Sequence, residues 1–177
     1  MSTPWGFSQQ QKAYCGGNII FHSTASHGGF KVQDDWNKKI PVYMRNSNGW
    51  YEEDCDWAKV AVVFMKDDKI LYEDAAKTLK NWFPGEYMQY FKCKLEISDS
   101  LKLREIDFIN RTKNDYVVTA ALSWADNMVK VHAVKGGRLE NGQYASRDEK
   151  WFLVPKTEYT MNFIIDQARH QETEPGF

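Results

Sequence analysis

Cysteine is scarce and poorly placed for cross-linking: Cys15, Cys55 and Cys93 are an odd number, widely spaced and without a Cys-x-x-Cys pair. This argues against a disulfide framework or a zinc knuckle and for reduced thiols in the cytoplasm of a host cell. Long hydrophobic runs are also missing. The longest, Val60 to Met65, is far short of the roughly 20 residues that span a bilayer, and Ser2-Thr3-Pro4-Trp5-Gly6 has no basic patch followed by an apolar segment. Neither an export signal nor a membrane anchor is expected. Nor is there a surplus of charge, since 23 Lys and Arg against 24 Asp and Glu leave a net charge of −1. No field of one sign would then draw the chain to a phosphate backbone, which argues against direct nonspecific nucleic-acid binding. A DNA mimic would need a dense excess of carboxylates that this chain does not have. Internal repeats, low-complexity tracts and interdomain linkers are absent. So is a Gly-rich strand-to-helix phosphate loop, because Gly28-Gly29 is only a dipeptide.

What the chain does hold is aromatic mass. Seven Trp, nine Tyr and ten Phe in 177 residues supply core surface at roughly 150 to 250 Å² each, enough for one domain over residues 1–170 with a fraying tail over 171–177. Residues 12–32 read as a strand pair turning at Cys15-Gly16-Gly17-Asn18, broken by Ser26-His27-Gly28-Gly29. Asp34 or Asp35 caps a short helix that Pro41 stops. The spacing of Trp57, Val60, Ala61 and Phe64 predicts a helix over Glu52 to Met65, with Glu53 one turn back on its buried stripe. Leu71, Ala75, Leu79 and Trp82 predict a second helix to Phe83, and residues 85–93 a short third. From residue 115 the period becomes two: Tyr116 to Trp124 and Met128 to Val134 form a hairpin, and Trp151–Val154 and Tyr159–Ile165 two further strands. Helices ahead of strands, with no βαβ alternation, predict an α+β fold: a single domain with an antiparallel sheet and a few packed helices.

Two dense blocks, Ser26-His27-Gly28-Gly29-Phe30 and Gly49-Trp50-Tyr51-Glu52-Glu53-Asp54-Cys55-Asp56-Trp57, carry the candidate chemistry. His27 beside two glycines is a candidate general base or metal ligand; the alternative is an imidazole that pins a loop. Glu53 and Asp54 are the other candidate catalytic residues, and any metal site at His27 would need one of them as an additional ligand. Four carboxylates at a helix start also complement the helix dipole without further purpose. Cys55 lies among those carboxylates, which disfavour a thiolate, so it reads as inert. Gly28, Gly29, Trp50, Tyr51 and Glu52 are the candidate binding residues. Trp5, Trp50, Tyr51 and Trp57 would suit a stacking pocket or the core alike. No complete catalytic constellation is present, and no metal or cofactor is expected.

The blocks Thr3-Pro4-Trp5-Gly6, Ser23-Thr24, Ser26 to Phe30, Gly49 to Ala58, Gly136-Gly137-Arg138, Phe152 to Pro155 and Glu158-Tyr159 resemble an uncharacterised domain family. That family is carried by plasmids and phages, sometimes within larger proteins near antirestriction domains. Residues 67–115 match nothing recognisable in it. The resemblance implies an accessory protein of a mobile element that binds and inhibits a host defence complex, such as a CRISPR effector or restriction enzyme. The alternative from the residues is a hydrolase or a ligand-sequestering protein that handles a nucleotide or signalling molecule through His27 and Glu53. The abundant aromatics leave a homodimer open.

Overall fold

The computed structural model describes residues 1–176, so Phe177 of the expected tail lies outside the described residues. The class is α+β with antiparallel sheets. The contacts group the chain into two compact units, Met1–Leu103 and the residues from Arg104 onward, each with its own apolar cluster.

In the first unit, β1 (Ser2–Thr3) and β2 (Gly6–Phe7) form a minimal hairpin. Its turn is closed by the Thr3 hydroxyl, which donates to the Gly6 carbonyl at 2.8 Å and accepts from the Trp5 amide at 3.2 Å. A four-stranded meander follows: β3 (Gln10–Tyr14), β4 (Ile19–Ser23), β5 (Gly28–Val32) and, after α1 (Asp34–Asn37), β6 (Trp50–Glu52). Register sorts its side chains by face. Phe21, Phe30 and Tyr51 lie opposite one another on one side, and His22, Gly29 and Glu52 form the matching row on the other. The first row packs into a core completed by α2 (Trp57–Phe64), α3 (Lys69–Trp82) and α4 (Pro84–Phe91).

The expected helix from Glu52 is shorter, because the Glu52 backbone pairs with Gly29 and the Glu53 amide donates to the Gly28 carbonyl at 3.0 Å. Strand pairing thus claims the acidic segment, and α2 has no acidic residue in its first turn. The dipole explanation falls with it for Glu52 and Glu53, whereas Asp56 stands at the N-cap of α2. Ala58 to Val62 are all buried, so α2 is a central helix and not an amphipathic one. Asp68 caps α3 by accepting from the Leu71 amide at 3.1 Å. Leu79 is buried as its spacing predicts, whereas Trp82 is largely exposed.

The helix α5 (Leu101–Arg111), unread in the sequence, runs across the division between the units. The second unit is a meander of β7 (Tyr116–Ser123), β8 (Met128–Lys135), β9 (Glu149–Pro155) and β10 (Gln171–Thr173). Phe152, Val131 and Val154 are central to its apolar cluster. A bulge between Val118 and Ala120 leaves Thr119 as the extra residue of β7. Two expectations are corrected. Tyr159–Ile165 is not a strand and makes only an isolated bridge from Ile164 to Val117. Gln171–Thr173 do not fray; they pair with Leu153, Phe152 and Trp151 of β9.

Candidate functional site

The turn between β4 and β5 fixes His27. The Thr24 amide donates to the His27 carbonyl at 2.8 Å, the Thr24 hydroxyl donates to the same carbonyl at 2.7 Å, and the His27 amide reaches that hydroxyl at 3.2 Å. Held at its backbone, His27 keeps an exposed ring whose Nδ1 lies 3.7 Å from Glu52 Oε1. The other oxygen of Glu52 accepts from the Asp54 amide at 2.8 Å, which sets the orientation of the carboxylate. Glu53 enters from the opposite face of β6. One ligand atom each from His27, Glu52 and Glu53 lies within 4.8 Å of the others.

Gly28 and Gly29 are both buried and both in β5, with no positive φ. They neither break the strand nor bare its backbone to a ligand. Instead they leave room for the protein's own side chains. A Cβ on Gly28 would come within 2.5 Å of Glu53 Oε2, and one on Gly29 would collide with the Trp5 ring and the Tyr51 carbonyl. Trp5, from the β1–β2 hairpin, therefore lies on the sheet at Gly29, edge-on to Trp50 with ring centroids 5.7 Å apart.

The remaining candidates separate. Tyr51 is fully buried in the core; its hydroxyl donates to Asn37 Oδ1 at 2.7 Å and accepts from the Asn46 amide at 3.0 Å. It presents no face to a ligand. Trp50 is half-buried, between the His22 ring at 5.2 Å and the Lys31 ammonium at 5.5 Å. Asp54 is exposed and contributes its amide to Glu52, while its carboxylate stays outside the His27 group. Asp56 turns inward, accepting from Lys59 at 2.7 Å and from Asn46 at 2.9 Å. Burial pushes the Cys55 thiol above its usual range, and the carboxylates of Glu52, Asp54 and Asp56 push it the same way. Both effects disfavour the thiolate, the reactive form of the group.

His22 gains weight from the structure. Its ring is buried, Nδ1 lies 3.1 Å from the Ser8 hydroxyl, and Nε2 has no hydrogen-bond partner among the described residues. Burial, with the N-terminal ammonium adding to it, lowers its pKa and keeps the ring neutral. In the second unit, His132 forms a chain that sequence reasoning missed. Its Nε2 faces Glu149 Oε2 at 3.0 Å and its Nδ1 faces the Thr119 hydroxyl at 2.8 Å, with the Trp151 ring 4.9 Å away. His170 is likewise committed: its Nδ1 accepts from the Asp166 amide at 3.1 Å and its Nε2 faces Glu158 at 3.4 Å.

Among the described residues, no helix is long and apolar enough to cross a membrane. No curated protein and no solved structure matches the chain. One family does match, over residues 1–113: the domain of unknown function DUF7007. The match spans the Thr3–Gly6, Ser26–Phe30 and Gly49–Ala58 blocks and continues through residues 67–113, outside the blocks that carry the resemblance. The blocks at 136–138 and 152–159 lie beyond it. The first unit and α5 thus carry the family's signature, and the chain belongs to this uncharacterised DUF7007 family.

Proposed function

We propose that the first unit takes up a small ligand at the turn end of its sheet through His27 and Glu53, with Glu52 helping to hold it. The observation that supports this reading is the convergence of His27 with Glu52 and Glu53, residues delivered by two different strand ends. Imidazole and carboxylate serve hydrolysis as acid–base partners or as donors to a cation. The ligand class is a nucleotide or signalling molecule, hydrolysed or sequestered. A His27→Ala, Glu53→Gln double variant tests it: melting like the parent with loss of biological activity is the expected result. Full activity in a normally folded double variant would remove the reading. Incubation with cell extract, followed by identification of small molecules retained by the parent and not by the variant, would name the ligand.

A second reading has its own support. Ile97 and Leu101, both exposed, flank Ser100, whose hydroxyl donates to the Asn81 carbonyl beside the exposed Trp82. Apolar surface of this kind suits protein docking. Together with the resemblance to a plasmid- and phage-borne family, it supports this second reading, in which the chain is a mobile-element protein that docks on a host defence complex and blocks it. A complex that survives size-exclusion chromatography, with inhibition saturating near equal stoichiometry, is then expected. Inhibition at far substoichiometric amounts counts against docking and for turnover.

A further inference from the structure

We infer that His27, Glu52 and Glu53 form a binding site for a divalent transition-metal cation of the Zn²⁺ or Mn²⁺ kind. This deepens, and rests on, the reading of the turn end of the sheet as the working site. One imidazole and two carboxylates make a mixed nitrogen and oxygen donor set, which suits these ions better than the all-oxygen sets of Ca²⁺ or Mg²⁺.

The geometry is close to what such an ion needs. Ligands at about 2.0 to 2.2 Å from a tetrahedral ion lie roughly 3.3 to 3.6 Å from one another. His27 Nδ1 and Glu52 Oε1 are 3.7 Å apart, and all three donors fall within 4.8 Å. Bringing them to one centre asks for movements of about 1 Å at the side-chain ends. The donors are also held from behind. Glu52 spends its second oxygen on the Asp54 amide, a supporting contact of the kind that orients metal-binding carboxylates. The Glu53 carboxylate occupies the space that the missing Gly28 side chain leaves, and it has no hydrogen-bond partner among the described residues.

Charge points the same way. The nearby Lys59 ammonium is committed to Asp56 and to the face of the Phe83 ring at 3.9 Å. Among the described residues, the ion pair of Glu52 is with His27, and no Lys or Arg pairs with Glu53. Two such carboxylates would repel the phosphates of a nucleotide ligand, and a cation between them reverses that repulsion. The exposed ring of His27 leaves the outer coordination positions open to solvent, the arrangement that lets a bound ion also contact a ligand.

Calorimetric titration of the full chain with ZnCl₂ and with MnCl₂, and the loss of the free Mn²⁺ paramagnetic resonance signal, test the inference. The expected result is saturable one-to-one binding, weakened at least about tenfold by each of His27→Ala, Glu52→Gln and Glu53→Gln. Asp54→Asn, which removes a charge from the same segment without removing a donor, keeps the parent affinity. No saturable binding by the parent, or equal weakening by Asp54→Asn, overturns the inference. Should Glu53→Gln misfold, the more exposed His27→Ala and Glu52→Gln decide the matter. Small-molecule retention that survives chelation would sink the cation and spare the proposed function. One-to-one cation binding by the parent, together with full biological activity in a normally folded His27→Ala, Glu53→Gln variant, would do the reverse.

Discussion

His27 and His132 each meet a glutamate, yet their surroundings are opposite. The His132 ring is almost fully enclosed, both of its nitrogens are engaged at 2.8 and 3.0 Å, and an indole lies against it. The His27 side chain is 52% exposed, and its contact to Glu52 is 3.7 Å. A saturated, enclosed imidazole has no capacity left for an outside molecule and serves the sheet that holds it. An open imidazole beside two carboxylates contributes little to the sheet and keeps its capacity for a ligand. The difference separates structural from functional polar groups by how many partners each already has.

The largest effect expected comes from the scaffold under the open site. Gly29→Ala forces a methyl group between the Trp5 ring and the Tyr51 carbonyl and should cost about 3 kcal/mol in urea denaturation; a cost below ~1 kcal/mol would mean that the hairpin lifts off freely. Next, His132→Ala leaves Thr119 and Glu149 without their ring and should cost about 2 kcal/mol, whereas His27→Ala should stay within about 0.5 kcal/mol. Equal costs for the two histidines would erase the contrast drawn between them.

Smaller effects follow from pH. The folded pKa of His22 is lowered from 6.5 by burial, so the unfolded chain binds its proton first. Stability from this group is present above pH 6.5 and is lost as pH falls through the lower folded pKa. Denaturation midpoints should therefore drop on acidification, less so in His22→Gln. The smallest effect belongs to the second unit. The hydrogen bond from Tyr116 to Asp148, helped by burial, raises the phenol to about 12. Its contribution is complete below pH ~10 and is lost as pH rises through the folded value. Ultraviolet difference titration should show one tyrosine ionising late, and Asp148→Asn should bring it back toward the others.

Local signals were legible and nonlocal ones were not. Alternation from Tyr116 to Val134 gave the β7–β8 hairpin, and the helix spacing of Leu71, Ala75 and Leu79 gave α3. Glu52 read as helical because an acidic run before an apolar stripe is a good helix start; only its pairing with Gly29, distant in sequence, made it a strand. The helix α5 holds Leu103, Ile106 and Ile109 at a spacing of three, an apolar stripe comparable to that of α3, yet none of its residues is fully buried. At the site, His27 and Glu53 stood out by local density. Exchanging Asp54 for Glu52 required the strand alternation that sends Glu52 to the outer face. Thr119, His132 and Glu149 meet only through the meander's register and a bulge, and no spacing in the sequence announces either.

The placement of Trp5 has one more consequence. Because the indole of this short N-terminal hairpin covers the sheet at Gly29, residues 1–7 act as a lining for the outer surface. A chain trimmed to begin at Ser8 would uncover Gly29 and the Trp50 ring that the Trp5 indole meets, leaving a sticky patch on the outer face of the sheet. Removing residues 1–7 is thus expected to show first as poor solubility.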